Sequence, residues 1–224
     1  MDFVVEQRAS DSVYIETVMR GRTVRDGSTI RPAENHWHMV LAKYKDNAQF
    51  LVVGPWTTAN PLSYVEGAEI LWIKFKLGVF MTHRPVRDFV NTETPLPEAT
   101  SRSFWLKSST WQFPDFENAD TFVDKLMHAD VLAWDPVVKA MLQRGWHELP
   151  SRTVRHRFLR ATGLSQNQIQ QVKRAQRAES LLRQGVSILD TVVEAGYSDQ
   201  PHLTRSLKQW IGYTPVQLIR LSAP

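Results

Sequence analysis

The sequence predicts an α+β protein of two domains. Residues 1–132 read as a mainly-β barrel or sandwich, and residues 133–224 as an all-α domain with two helix-turn-helix motifs. Three observations lead there. From Val4 to about Thr110, short runs rich in β-branched and aromatic residues alternate with Gly, Pro, Asn and Asp clusters. From Asn118 onward, apolar residues recur at helical spacing behind capping residues. The charge divides with them. From Pro136 on, thirteen Lys/Arg face five Asp/Glu, a balance of +8, while the 14 basic and 18 acidic residues before it give −4, within a net charge of +4. A basic C-terminal module therefore follows an acidic N-terminal one.

Composition narrows the class. Of 224 residues 42% are apolar and 22% charged, which excludes a disordered chain. No apolar run approaches the roughly 20 residues of a membrane helix, and the opening M-D-F-V-V-E-Q-R lacks the basic-then-apolar layout of a signal peptide. A soluble cytoplasmic protein without membrane association is expected. The chain has no cysteine, so disulfides and thiolate metal sites are excluded.

In chain order, strands are predicted over 12–18, 37–44, 49–53, 69–77 and 103–106, with turns at 25–28, 32–35 and Asn60-Pro61. Over 70–77 strict alternation sets Leu71, Ile73, Phe75 and Leu77 on one face and Trp72, Lys74 and Lys76 on the other. Residues 79–90 read as a short helical or irregular segment, and 91–100, with two prolines, as loop. His36 and His38 flank Trp37 at a spacing that puts both on one face of a strand. Cupin barrels bind metals with such a pair, but their motif needs a Glu a few residues later. Here Ala42, Lys43 and Tyr44 occupy that distance, so neither metal nor cofactor is expected. A pocket-lining or structural role is left for these histidines, with Trp56, Trp72 and Lys74 as further pocket candidates.

Helices are predicted over 118–130, capped by Asn118 or Asp120; over 135–144, closed by Gly145; over 151–162, stopped by Gly163; and over 164–185. Ser187 and Asp190 form an S-x-x-D capping box, and Gly196 stands where a left-handed residue closes a short helix. Ser198 or Asp199 caps the next helix, whose Leu203, Leu207, Trp210 and Ile211 form one apolar stripe. Its opposite face holds Pro201, His202, Arg205, Lys208 and Gln209. A short helix, a Gly turn and a helix with a basic outer face is the pattern that lays its second helix in a DNA major groove. A last short helix starts behind Thr214-Pro215 and runs through Leu221.

Residues 196–215, above all L-T-R-S-L-K-Q-W-I-G-Y-T-P, resemble the signature of the AraC/XylS family of bacterial transcription regulators. R-F-L-R-A-T-G-L-S at 157–165 and R-A-Q-R-A at 174–178 resemble the end of that family's first helix-turn-helix and its connecting helix, though Pro150 stands where the family usually has a Ser cap. A connector of roughly twenty residues is about 30 Å long, near the roughly 34 Å that separates successive major grooves on one side of a duplex.

The candidate DNA contacts are Gln200, Pro201, His202, Thr204, Arg205 and Lys208 in the second motif. Arg205 suits guanine and Gln200 adenine, while Lys208 meets phosphate or solvent. In the first motif they are Arg152, Arg155 and His156 for base edges, with Arg157 and Arg160 as phosphate neighbours. A solvated basic face is the alternative for both sets. The resemblance implies a DNA-binding regulator acting on promoter or operator DNA with RNA polymerase, a β domain that senses a small-molecule effector or mediates homodimerisation, and no catalysis. The alternatives are a cupin-like metalloenzyme fused to a DNA-binding module, and a ligand-free dimerisation module.

Overall fold

The computed structural model describes residues 3–143 and 150–222. The strands are β1 (Phe3–Arg8), β2 (Ile15–Thr23), β3 (Gly27–Arg31), β4 (His38–Tyr44), β5 (Asn47–Val53), β6 (Asn60–Tyr64), β7 (Glu69–Phe75), β8 (Val79–Met81), β9 (Glu93–Pro95), β10 (Glu98–Thr100), β11 (Ser103–Leu106), β12 (Ser109–Gln112) and β13 (Leu132–Trp134). The helices are α1 (Ala119–His128), α2 (Pro136–Leu142), α3 (Ser151–Thr162), α4 (Gln166–Arg183), α5 (Ile188–Glu194), α6 (Gln200–Trp210) and α7 (Pro215–Ser222). The N-terminal region is thus mainly β and the C-terminal region helical. The chain divides into two compact units. One comprises residues 1–27, 36–55 and 63–165, the other 28–35, 56–62 and 166–224.

The first unit is built on an antiparallel sheet in the order β1-β2-β7-β4-β5-β9. The alternation in β7 sets its inner face. Leu71, Ile73 and Phe75 are buried, and the register places Met39 beside Ile73 and Leu41 beside Leu71 on the same face. Phe50 continues that core, stacking on Phe104 of β11 at 4.3 Å between ring centroids and meeting Phe122 of α1 edge-on at 5.9 Å. Phe122, Val123 and Leu126 of α1 are buried, as the helical spacing predicts.

Two expectations need correction. The stretch 91–100 is not loop throughout, since β9 pairs with β5, Val53 opposite Glu93 and Leu51 opposite Pro95, and β10 pairs with β11. A proline without an N–H is accommodated because β9 is the sheet's edge strand. Neither Asn118 nor Asp120 caps α1 through its side chain. Asn118 Oδ1 accepts from the Asp115 N–H at 3.0 Å instead, and the Asp120 carboxylate accepts from the Ser10 hydroxyl and from Arg8. Residues 79–90 hold β8 and a single 3₁₀ turn, Val86–Phe89. The expected end of α2 at Arg144-Gly145 lies outside the described residues.

The unit closes with α2 and α3. Asp135 caps α2 by accepting the Val137 N–H at 3.0 Å, and α3 buries Val154, Phe158, Ala161 and Thr162. In the second unit α4 to α7 enclose one core, in which Val172, Ala175 and Leu182 of α4 meet Val192 of α5, Leu203, Leu207 and Trp210 of α6 and Leu218 of α7. Ala33, 1% exposed, belongs to the same core.

Candidate nucleic-acid interface

The second helix-turn-helix is fixed by its caps. The Ser187 hydroxyl oxygen accepts the Asp190 N–H at 3.1 Å, and the hydroxyl donates back to the Asp190 carboxylate at 2.6 Å, which starts α5. Gly196, at φ 73°, turns the chain out of it in the left-handed region that favours glycine. Asp199 Oδ1 then accepts the His202 N–H at 2.7 Å and starts α6. That bond, above all, holds the Asp199 carboxyl below the usual range, and the Ser198 hydroxyl and the positive charges of Arg205 and His202 act the same way. The cap is therefore an anion at a helix N-terminus, where the helix dipole favours negative charge.

With Leu203 and Leu207 wholly buried and Trp210 nearly so, α6 has one possible outer side. Pro201, Arg205, Lys208 and Gln209 are exposed there, and His202 and Thr204 lie partly buried. Gln200 is exposed at the first position of the helix, off that face.

Beside that face is a cleft of about 310 Å³ between α4 and α6. The Tyr197 hydroxyl lies 2.9 Å from Ser206 Oγ. The Tyr197 ring carries the Arg174 guanidinium 5.5 Å above its centroid and the His202 ring edge-on at 5.1 Å. Burial pushes the Tyr197 hydroxyl pKa up, against the Ser206 hydrogen bond and the Arg174 charge. Gln171, Arg174, Ser206 and Gln209 line this cleft with His202 and Arg205. Of these, Arg174 was not singled out from the sequence. The available signal is that Arg174 and Gln171 flank Val172 and Ala175, the buried stripe of α4.

In the first motif Arg152, Arg155 and His156 are exposed along α3. Two other arginines of that helix have partners. Arg157 clasps Asp135 with Nε to Oδ2 at 2.9 Å and Nη2 to Oδ1 at 2.8 Å, which raises its pKa further. Arg160 donates to the Thr82 carbonyl at 3.0 Å and lies over the Phe80 ring.

Of the N-terminal pocket candidates, His36, His38, Trp72 and Lys74 belong to the first unit and Trp56 to the second. His38 and Lys74 are cross-strand neighbours, and Trp72 stands opposite Val40 on the face away from Leu71 and Ile73. His36 is partly buried ahead of β4, and Trp56 belongs to the second unit, where the Arg31 guanidinium stacks on its ring. A cavity of about 450 Å³ opens on the other face, lined by Leu41, Leu71 and Phe116 with Arg20, Arg22 and Lys43 among its charged groups. Among the described residues no group of three His, Cys, Asp or Glu is placed to hold a metal, and no helix is long and apolar enough to cross a membrane.

Residues 148–220 match the family model of a helix-turn-helix domain. Fold and matched residues define a DNA-binding helix-turn-helix protein. Those residues carry the helix-turn-helix domain that the resemblance in the sequence implies. Two structures of ToxT from Vibrio cholerae O395 are similar to it. One is 10% identical over 99% of this chain and 98% of that one, with a TM-score of 0.41. The other, bound to (E)-4-(8-methylnaphthalen-1-yl)but-3-enoic acid, is 12% identical over the whole of both chains, also with a TM-score of 0.41. No curated protein matches the chain.

Proposed function

We propose that this chain is a cytoplasmic, non-catalytic, sequence-specific regulator that reads promoter or operator DNA with α6 and contacts it again with α3. The observation that carries the reading is the outer face of α6, where Arg205 and Lys208 stand exposed on a helix whose other side is committed to the core, with Gln200 exposed at its first position. Arg205 is assigned to the O6 and N7 edge of guanine and Gln200 to adenine. Pro201 sets the first turn, His202 and Thr204 flank the contact, and Lys208 meets phosphate. From α3, Arg152, Arg155 and His156 supply the second set of contacts, with Arg160 at its edge. Bound to its site, the protein acts on transcription by engaging RNA polymerase.

The β region is assigned a role in sensing a small molecule or in homodimerisation. The cavity of about 450 Å³ supports sensing, because it sets an apolar floor of Leu41, Leu71 and Phe116 beside charged groups of both signs that could orient a polar small molecule.

The experiment is enrichment of duplexes from a random-sequence pool by the full-length chain, followed by affinity measurements on the enriched sequence. Arg205→Ala is expected to cost about 1–3 kcal/mol on it and to relax base preference at one position. An equal loss on enriched and random duplex would reassign Arg205 to the phosphate backbone. Failure to enrich any sequence would overturn the reading as a whole.

A further inference from the structure

The last carbonyls of α6 have no partner within the helix. Two of them are taken by N–H groups from far earlier in the chain. Ala33 donates to the Trp210 carbonyl at 2.7 Å and Ala59 to the Gln209 carbonyl at 2.8 Å. The same stretches crowd the turn that follows. Gly212 sits at φ 90°, and a Cβ built there would lie 2.3 Å from Ile30 Cγ2 and 3.1 Å from Ala59 Cβ. Only glycine permits that approach. Glu34 and Trp56 exchange both of their backbone hydrogen bonds, at 3.0 and 2.9 Å, which ties the two stretches into one strap. Asn35 Nδ2 adds a bond to the Ile169 carbonyl of α4 at 3.3 Å, and Ala33 fills a place in the core against which α6 packs.

We infer that Ile30, Ala33 and Ala59 are positioning residues for DNA reading. The strap holds the C-terminal end of α6, and with it the aim of Arg205 and Gln200. Water can satisfy the Trp210 and Gln209 carbonyls in place of the strap, but it does not fix the direction of the helix. The strap residues need touch no nucleotide to alter which bases are preferred. The strap lies in the N-terminal half of the sequence, running from Ile30 at the end of β3 toward β4 and again between β5 and β6. The reading helix is thereby tied to a part of the chain outside the matched residues 148–220.

This inference rests on the DNA-reading proposal, and its test separates the two. The full-length chain is used throughout, with the duplex it enriches from a random pool and a random duplex of the same length. If the wild-type chain enriches nothing, both readings fall. If it does, Ile30→Ala is expected to weaken the enriched duplex by about fivefold or more, a coupling typical of linked sites. The random duplex should be weakened less, and base preference should change only at the positions that Arg205→Ala identifies.

Ile30→Val keeps the branched side chain against Gly212 and is expected to bind both duplexes as the wild-type chain does. No loss with Ile30→Ala, a uniform loss on both duplexes with Ile30→Ala, or a loss with Ile30→Val equal to that with Ile30→Ala would overturn the inference.

Discussion

Arg205 and Lys208 stand three residues apart on the exposed side of α6, yet they are expected to fail differently. Arg205→Ala is expected to cost affinity on the enriched sequence more than on random duplex, whereas Lys208→Ala should weaken all sequences about equally and lower the salt slope by about one unit. Asp199 makes a pH prediction. Its folded pKa lies below the ordinary value, so the cap is intact above about pH 3.9 and is lost as the pH falls through the lowered value. Chemical-shift titration of α6 amides should therefore show no loss of the cap between neutrality and pH 4, and Asp199→Asn should abolish the acid transition. A transition of α6 near pH 6 would point to another group. Asp135 lies 22 residues before Arg157, and it both caps α2 and accepts two guanidinium bonds. Asp135→Ala is expected to cost about 2–3 kcal/mol in thermal unfolding, from the lost cap and the lost charged acceptor together. The sequence revealed the cap, because Asp before Pro is a local signal. It was silent on the clasp, because nothing local pairs residues 135 and 157.

Helices proved the most legible elements. The predicted span 151–162 coincides with α3, and the stripe of Leu203, Leu207 and Trp210 is buried as its spacing requires. Periodicity, caps and the left-handed Gly196 are all local properties, so a reader of the chain recovers them. Strands were recovered where the pattern alternates, as in β7, and missed where pairing alone makes the strand, as in β9 and its Pro95. The inner face of β7 was readable, but the cavity beyond it was not. It takes Arg20, Lys43 and Phe116 from β2, β4 and a distant loop. The separation of core from reading face on α6 is testable as an element. Leu207→Ala should cost about 2–5 kcal/mol of stability, while Arg205→Ala should leave the melting temperature nearly unchanged. Differential scanning calorimetry of both variants checks this, and comparable losses would mean that Arg205 packs as a structural residue.

At the scale of the whole molecule, the +8 balance from Pro136 onward predicts strong salt dependence. Affinity for any duplex should fall steeply between about 50 and 200 mM salt, with a log–log slope of about −0.9 for each phosphate contacted. A flat response in a salt titration would contradict an interface made by Arg152, Arg155, Arg205 and Lys208. The sequence divided the chain by composition, whereas compactness groups residues 28–35 and 56–62 with α4 to α7. Hydrogen bonds such as Ala33 to Trp210 join residues too far apart in the chain for any window of composition to link them. That grouping bears on how such a protein can be recombined. A fusion that carries residues 133–224 onto a foreign partner leaves Ala33 and Ala59 behind, and the graft inherits a core with one vacancy and a helix end without its donors. Transplanting its specificity would therefore require the two early segments to travel with the reading helix, so this protein is less interchangeable than the division of its sequence suggests.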